Sequence, residues 1–318
     1  MNGSRIETFD VALPHGITLS CRTAGPALLS RTEAPGAPAG SVGSLGSTLP
    51  RVLLLHGFPE AAFAWDEMLQ RLAPAARAVA PNLRGFERSS APREVEAYRP
   101  RHLVADVAAL IETLGAPVDL LVAHDWGGAV AWNLAATHPH LLRRLLIVNS
   151  PHPATFLREL RSNPAQQQAS AYMNFLCRPD AERLLAENDY ARLWPFFEER
   201  GGHAWLDEAM RARYRAAWSM GLTGGLNYYR ASPLRPARGP QDALHTLEIP
   251  DALTTVQVPT TVLWGERDRA LLPGLLEGLE RWVPRLQVER VPEASHWIVH
   301  EQPDRVWQAI RRALASPP

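Results

Sequence analysis

Six short apolar runs, most of them separated by helical patterns, constrain the fold of this chain more than any other feature. They read "RVLLLHG", "RAVAPN", "VDLLVAH", "RRLLIVNS", "TTVLWG" and "LQVERVP". Strands that alternate with helices predict parallel βαβ units and a doubly wound sheet. Before these runs, "RIETFDVAL" and "GITLSCRTA" alternate as two antiparallel strands, with "PHG" as the hairpin turn. The sequence therefore predicts an α/β fold with a mostly parallel sheet.

The long interval between the fourth and fifth runs has a different character. Segments such as "PDAERLLAEN", "YARLWPFFEERG" and "HAWLDEAMRARYRAAWSMG" are helical and amphipathic in pattern, and no clear buried strand occurs among them. Because ligands of open α/β sheets bind at the carboxyl ends of the strands, such an insertion can roof a site. We therefore predict a core of residues 1–149 and 241–318 and a helical cap of residues 150–240. Residues 25–50, rich in Gly, Ala, Pro and Ser, are expected to form a flexible surface excursion.

Composition gives little indication of a partner. Lys plus Arg and Asp plus Glu each number 33 in 318 residues, so charge favours neither nucleic acid nor an anionic membrane. Cys21 and Cys177 are too few for a disulfide framework and lack the spacing of a metal site. The sequence starts without a basic segment followed by an apolar run, and about 18 apolar residues never occur together. We expect a cytoplasmic protein, either a monomer or a homo-oligomer.

The segment "LLVAHDWGGAVAWNLAA" predicts a buried strand, a tight turn and a helix from about Gly127 to His138. A strained turn between a strand and a helix is the layout of a nucleophile elbow, and Asp125 occupies the nucleophile's position. Ala123 stands where the usual pattern has its first glycine, and Gly127 matches the second. The alternative is that Asp125 simply caps the helix N-terminus.

A second motif, "LLLHGFPE", ends a predicted strand. Gly57 permits backbone geometry that other residues resist, and Pro59 fixes the next bend. The Phe58 N–H can then point into the site and form an oxyanion hole with the N–H of Trp126. Alone, the motif is equally compatible with an ordinary turn from strand to loop.

An acid and a histidine follow the last two predicted strands. Asp268 comes after "TTVLWGER", and His296 comes after "LQVERVPEAS". Residues at adjacent strand ends can meet, and the chain order of nucleophile, acid and histidine is the order of this architecture. A single histidine is more often structural, and the chain has eleven. The combination of the three motifs is what favours a catalytic site.

These motifs resemble the α/β-hydrolase superfamily and, within it, the branch that uses an aspartate nucleophile: epoxide hydrolases, haloalkane dehalogenases and fluoroacetate dehalogenases. The resemblance extends from "TFDVALPHGITLSCRTAG" to "SHWIVHEQPDRVWQAI", apart from residues 25–50. It implies an eight-stranded, mostly parallel sheet with an inserted helical cap. It also implies that Asp125 forms an alkyl ester with an sp³ carbon, and that His296, oriented by Asp268, activates the water that hydrolyses this ester. Neither a metal nor an organic cofactor is needed.

The leaving group separates the three families. Epoxide hydrolases carry two cap tyrosines that donate to the ring oxygen, and two segments of this chain resemble the surroundings of those tyrosines. "SAYMNFLCRPDAERLL" places Tyr172 in the first role, and "GGLNYYRASPL" places Tyr229 in the second. Tyr228 is a rival of Tyr229, but neighbouring helical residues point about 100° apart, so only one of the two is expected to face the site. The alternative for all three is packing within the cap.

Dehalogenases differ from this chain at two positions. Haloalkane dehalogenases usually have a second donor, such as Asn, where Phe58 stands here. Fluoroacetate dehalogenases typically place Arg where Trp126 stands. The sequence therefore predicts an epoxide hydrolase that acts on a small apolar epoxide. A dehalogenase is the first alternative, and a catalytically silent ligand-binding relative is the second.

Two further positions depart from the family patterns. In "PNLRGFERSSAP", Asn82 and Glu87 replace an acid and a glycine, and Glu87 is expected to change the backbone of that loop. Asn149 is neutral where some dehalogenases keep the acid of the triad. The acid role is therefore assigned to Asp268.

Overall fold

The computed structural model of the chain describes residues 4–25, 49–198 and 205–316. The excursion predicted for residues 25–50 lies outside the described residues except at its two ends. Within the described ranges, none of the helices has the length and apolar character needed to cross a membrane.

Eight strands form one sheet. They are β1 (Ile6–Ala12), β2 (Thr18–Ala24), β3 (Arg51–Leu55), β4 (Arg77–Pro81), β5 (Leu120–His124), β6 (Leu145–Val148), β7 (Thr260–Gly265) and β8 (Leu286–Val291). Their order across the sheet is β1-β2-β4-β3-β5-β6-β7-β8. β2 pairs antiparallel with β1 and with β4, and the remaining neighbours pair in parallel. The predicted hairpin and the predicted eight-stranded, mostly parallel sheet are confirmed.

Helices cover both faces of this sheet. The α-helices are α1 (Asp66–Leu72), α2 (Pro100–Leu114), α3 (Asp125–Thr137), α4 (Pro153–Ser162), α5 (Pro164–Ala169), α6 (Tyr172–Leu176), α7 (Ala181–Tyr190), α8 (Trp194–Glu198), α9 (Glu208–Ser219), α10 (Thr223–Ala231), α11 (Ile298–Glu301) and α12 (Pro303–Ala315). Side chains alternate along each strand. Leu54 and Val122 therefore belong to a core cluster with α1 and α12, while Leu55 and Leu121 belong to another with α2 and α3. The sheet is doubly wound, as predicted.

The central strand β5 leads directly into α3. All five residues of β5 are buried, as expected for a parallel strand covered on both faces. α3 begins at Asp125, two residues before the predicted start at Gly127, and ends at Thr137. The start differs because the chain changes direction at a single residue: Asp125 has a φ of +49°.

Between β6 and β7 the described residues form α4 to α10, here called the cap, together with short 3₁₀ turns but no strand. Hydrogen bonds join the cap to loops that follow the carboxyl ends of the strands. Trp218 Nε1 donates to the Pro59 carbonyl at 2.7 Å, and Tyr228 Oη donates to the Arg84 carbonyl at 3.0 Å. The cap therefore lies over the edge of the sheet where Asp125 stands. The domain limits at residues 149/150 and 240/241 stay predictions.

Candidate active site

Asp125 occupies a strained turn between β5 and α3. Its φ of +49° falls in the left-handed region, which is uncommon for residues other than glycine. The helix N-cap is His124, whose side chain makes no capping bond. The carboxylate of Asp125 instead accepts a hydrogen bond at Oδ1 from the Phe58 N–H, at 2.8 Å. This geometry is that of an elbow, and the alternative of a simple capping aspartate is wrong.

Gly57 is required beside this carboxylate for a reason that the sequence did not indicate. A Cβ atom at residue 57 would lie 2.2 Å from Asp125 Oδ1, far inside van der Waals contact. The backbone of Gly57 is not in the positive-φ region. The glycine therefore provides space for the Asp125 side chain rather than an unusual backbone conformation.

His296 lies between Asp125 and Asp268. Its Nδ1 is 2.6 Å from Asp268 Oδ2, and its Nε2 is 3.6 Å from Asp125 Oδ2. Asp268 Oδ1 accepts the backbone N–H groups of Ala270 and Leu271 at 2.8 and 2.9 Å. Burial by itself raises the pKa of Asp268, but His296 and these hydrogen bonds outweigh it and hold the pKa below its ordinary value. The buried acid is therefore ionised at neutral pH beside the ring that it orients.

Asn149 supports this acid. Its Nδ2 donates to Asp268 Oδ2 at 2.9 Å, and its Oδ1 accepts the Gly265 N–H at 2.8 Å. From the sequence, Asn149 is only a neutral residue at a strand end where some dehalogenases have an acid. The structure places it as a hydrogen-bond donor that fixes the carboxylate of Asp268.

Asn82 and Glu87, the two departures in the loop after β4, are bonded to each other. Asn82 Nδ2 donates to Glu87 Oε2 at 2.7 Å, and Asn82 Oδ1 accepts the Ala62 N–H at 2.8 Å. Glu87 adopts a φ of +46°, the region that a glycine favours. The substituted glutamate thus tolerates a left-handed backbone while its side chain pairs with the substituted asparagine.

Aromatic rings close the site from the cap side. The Tyr229 ring centroid lies 4.9 Å from that of Trp126, 5.4 Å from that of Phe58 and 6.1 Å from that of Tyr172. Tyr228 differs because its hydroxyl donates to the Arg84 carbonyl. The two adjacent tyrosines therefore have different neighbours, and Tyr229 is the one whose ring contacts Phe58 and Tyr172.

Close backbone contact sets the height of α10, which carries Tyr229. A Cβ on Gly224 would lie 2.3 Å from the Cα of Gly85, and a Cβ on Gly85 would lie 2.7 Å from the Cα of Gly224. The start of α10 therefore rests on the loop after β4 without a side chain between them. This contact brings Tyr229 down to Phe58.

The family was identified by comparison with known proteins. A family model described as "alpha/beta hydrolase fold" matches residues 50–303. The chain belongs to the α/β-hydrolase family. It is 35% identical over 271 residues to AB hydrolase superfamily protein YfhM of Bacillus subtilis (strain 168), covering 84% of this chain and 91% of that protein. It is 34% identical over 275 residues to epoxide hydrolase 3 of Xenopus tropicalis, covering 83% and 71%.

Solved structures give the same result for this α/β-hydrolase. An epoxide hydrolase of Bacillus megaterium in complex with an inhibitor superposes with a TM-score of 0.83 at 28% identity, covering 97% of this chain and all of that one. A structure reported with novel epoxide hydrolases in metagenomes from hot environments has a TM-score of 0.80 at 33% identity, covering 98% and 99%. The predicted fold, the predicted resemblance to epoxide hydrolases and the prediction of a hydrolase are confirmed.

A further buried carboxylate of this α/β-hydrolase, which the sequence did not indicate, lies close to His296. Glu60 Oε1 accepts the Tyr214 hydroxyl at 2.8 Å and lies 2.6 Å from His300 Nε2. Glu60 Oε2 is 3.2 Å from His124 Nδ1, and His124 Nε2 is 2.9 Å from the His296 carbonyl oxygen. This Glu60 cluster therefore connects the cap, through Tyr214 of α9, to the backbone of His296.

The charge of Glu60 depends on these neighbours. Burial alone raises the pKa of the carboxyl, but His300 and His124 outweigh it and hold the pKa well below the ordinary 4.5. Glu60 belongs to "HGFPE", but its partners Tyr214 and His300 lie 154 and 240 residues away, so no local pattern pairs them. Among the described residues, no group of three or more His, Cys, Asp or Glu side chains could hold a metal ion.

We predict that Glu60→Gln lowers the free energy of unfolding at pH 7 by about 2 kcal/mol, because an amide has one accepting oxygen fewer for Tyr214, His300 and His124. A carboxyl whose pKa is depressed by folding stabilises the folded state above its unfolded pKa, and this stabilisation is lost as the pH falls. Below pH 4.5, the ordinary pKa of a glutamate, the free energy of unfolding should therefore fall more steeply with decreasing pH in the wild type than in the variant.

Urea unfolding between pH 3 and pH 7 measures both effects. Glu67→Gln is the matched control, since Glu67 pairs with Arg71 at an exposed position. Equal acid dependence in the wild type and in Glu60→Gln would contradict the assignment of an ionised Glu60.

Proposed function

We propose that this α/β-hydrolase converts an epoxide to a vicinal diol through a covalent ester on Asp125. The observation that carries the proposal is a carboxylate, rather than a hydroxyl, on the elbow, 3.6 Å from a histidine that is itself bonded to Asp268. A carboxylate can attack an sp³ carbon and leave an ester that water can hydrolyse. Relatives and solved structures named epoxide hydrolases support the same reaction.

In the first step Asp125 Oδ2 attacks a carbon of the epoxide ring, since Oδ1 is held by the Phe58 N–H. The C–O bond of the ring breaks, and its electron pair passes to the ring oxygen. An alkoxide is a poor leaving group without a proton, so one tyrosine hydroxyl supplies the proton and the other donates a hydrogen bond. We assign these two roles jointly to Tyr172 and Tyr229.

In the second step His296 Nε2 removes a proton from a water molecule, and the resulting hydroxide attacks Cγ of Asp125. Negative charge develops on Oδ1, where the Phe58 N–H already donates. Trp126 stands in the first turn of α3, where backbone N–H groups have no partner within the helix, and its N–H is the second proposed donor. Collapse releases the diol oxygen together with the proton held by His296, and one oxygen of water remains in the carboxylate. The second proton of the water leaves this carboxyl group and returns to the tyrosine that gave up its proton in the first step.

The surroundings of the two adjacent cap tyrosines support Tyr229 as the second donor. Tyr229 packs against Phe58, whose N–H donates to the Asp125 carboxylate. Trp126 contacts the rings of both tyrosines and does not distinguish them. The Tyr228 hydroxyl is engaged by the Arg84 carbonyl. A proton donor must lie at the reacting oxygen, so the position of Tyr229 fits and that of Tyr228 does not.

No specific observation favours the alternatives. The position at which haloalkane dehalogenases usually carry a second halide donor holds the hydrocarbon ring of Phe58, which packs against Tyr229. A silent ligand-binding relative would lack one of the three triad groups, whereas Asp125, His296 and Asp268 are all present. Epoxide hydrolysis is therefore the function that we propose, and the cytoplasm, expected from the sequence, stays the proposed location.

His296→Gln should stop ester hydrolysis while leaving the attack of Asp125 in place. Removal of a general base costs about 10²- to 10⁴-fold in rate, so the ester should accumulate when the variant is mixed with an epoxide. Rapid quench, digestion and mass spectrometry should find the added mass of the epoxide on the peptide that holds Asp125.

The control is the double variant Asp125→Ala with His296→Gln, which should gain no mass. An active wild type whose His296→Gln variant carries no adduct at any quench time would exclude the ester mechanism.

Tyr172→Phe combined with Tyr229→Phe should abolish ring opening, because no hydroxyl then reaches the departing oxygen. Each single variant should lower the rate of ester formation by about 10²-fold or more. The measurement is single-turnover formation of the ester in the His296→Gln background.

Tyr228→Phe is the matched control, since it removes the neighbouring hydroxyl and only its bond to the Arg84 carbonyl. It should lower the free energy of unfolding by about 1 kcal/mol and leave ester formation in place. If Tyr228→Phe blocks ring opening and Tyr229→Phe does not, the assignment of the second donor is wrong.

A further inference from the structure

A buried amide of the cap contacts the loop that holds Asp268. Gln166 of α5 is fully buried, and its side chain is hydrogen-bonded at both ends of the amide. Nε2 donates to the Ala270 carbonyl at 2.7 Å and to Ser170 Oγ at 2.9 Å. Oε1 accepts the Leu272 N–H at 2.9 Å. These partners fix the orientation of the amide, because its oxygen only accepts and its nitrogen only donates.

The amide and Asp268 bind opposite edges of one peptide group. The carbonyl of Ala270 and the N–H of Leu271 belong to the same planar unit, here called the acid-loop peptide. Gln166 Nε2 donates to that carbonyl, and Asp268 Oδ1 accepts that N–H at 2.9 Å. Since Asp268 Oδ2 lies 2.6 Å from His296 Nδ1, a chain of hydrogen bonds runs from Gln166 to the histidine ring. Hydrogen bonds in such a chain polarise one another.

The two oxygens of Asp268 are held from different directions. Oδ2 accepts Asn149 Nδ2 at 2.9 Å and lies beside His296. Oδ1 instead accepts two loop N–H groups, those of Ala270 and Leu271. A buried carboxylate depends on such donors, because water does not replace them. A shift of the loop would therefore turn the carboxylate and misalign its bond to the histidine ring.

The same amide also contacts the turn that leads to Tyr172, but there it is one contact among several. Nε2 donates to Ser170 Oγ, and the Ser170 carbonyl accepts the Met173 N–H at 3.0 Å. The ring of Tyr172 packs at 5.5 Å from that of Phe196 and at 6.1 Å from that of Tyr229. Loss of the amide should therefore disturb the loop of the acid more than the position of Tyr172.

We propose that Gln166 is a positioning residue for hydrolysis of the ester on Asp125, acting on Asp268 through the acid-loop peptide. This inference rests on the proposed function and adds to it a cap residue that orients His296 from a distance. Ester formation does not use this chain, because Asp125 attacks as a carboxylate and the tyrosines supply the proton. Loss of the amide should therefore slow the second step selectively.

Gln166→Met removes the amide and keeps the length of the side chain. Rapid quench and mass spectrometry of the peptide that holds Asp125 follow both steps in a single turnover. Ester hydrolysis should be about tenfold slower than in the wild type, since the bonds that position the acid are lost. Ester formation should keep the wild-type rate, so the ester should accumulate although His296 is present. Equal rates of ester hydrolysis in the wild type and in folded Gln166→Met would overturn the inference.

Two variants control for effects on the cap. Gln167→Met is matched, since Gln167 is the next residue of α5 and its Nε2 donates to the Leu160 carbonyl of α4 at 2.9 Å. Ser170→Ala removes the bond between the amide and the turn before Tyr172, and leaves the bonds to the acid loop in place. Both variants should hydrolyse the ester at the wild-type rate. If Ser170→Ala slows hydrolysis as much as Gln166→Met does, the inference is wrong.

Gln166→Glu is the second variant, in case Gln166→Met does not fold. It keeps the size of the side chain and an oxygen for the Leu272 N–H, but it places a second oxygen beside the Ala270 carbonyl. It should slow ester hydrolysis in the same direction. An unchanged rate in folded Gln166→Glu, with Gln166→Met unfolded, would contradict the inference equally.

Proton NMR of the enzyme without substrate separates this inference from the proposed function. The proton between Asp268 and His296 should give a far-downfield signal, assigned by its loss in His296→Gln. Gln166→Met should move this signal upfield, and Gln167→Met should not. If the wild type opens no epoxide but the signal moves, the proposed function fails and the link from Gln166 to His296 stands. If the wild type opens epoxides and the signal stays in place in Gln166→Met, the inference fails alone.

Discussion

The hydrogen bond from the Phe58 N–H to the carboxylate of Asp125 is the contact on which the site depends. It requires the loop after β3 to approach the elbow so closely that a Cβ at Gly57 would overlap the acid. It also requires Asp125 to hold a left-handed backbone, a strain that the buried strand β5 on one side and α3 on the other can sustain. The same N–H faces the oxygen on which charge would develop during ester hydrolysis.

Two fully buried carboxylates flank this contact, and each is compensated differently. Asp268 is held by two backbone N–H groups, Asn149 and His296, so its position is fixed from within the core. Glu60 is shared between histidines of the core and Tyr214 of the cap. A buried charge without partners would cost several kcal/mol, so both arrangements must form together with the fold. The cap thus contributes to the electrostatics of the core as well as covering it.

Periodicity was sufficient to predict a doubly wound, mostly parallel sheet, because each strand carries its own apolar pattern, and the family resemblance added the number of strands. Asp125, Asp268 and His296 could be selected because each follows a strand end. The Glu60 cluster could not be predicted from the sequence, because the partners of Glu60 come together only when the cap packs on the core. The pairing of Asn82 with Glu87 and the support of Asp268 by Asn149 were missed for a related reason. In the sequence each of these residues is only a departure from a pattern, whereas in the structure its role follows from the atom that it contacts.

The backbone contact between Gly85 and Gly224 fixes the distance between cap helix α10 and the loop after β4. Because neither residue has a side chain, α10 packs as closely as backbone contact allows, and Tyr229 lies close to Phe58 and Trp126. A larger residue at either position would push the start of α10 away from the loop after β4, and Tyr229 would move away from Phe58 with it. The size of the space between the cap and Asp125 therefore depends partly on two glycines, which have no side chain that could contact a ligand.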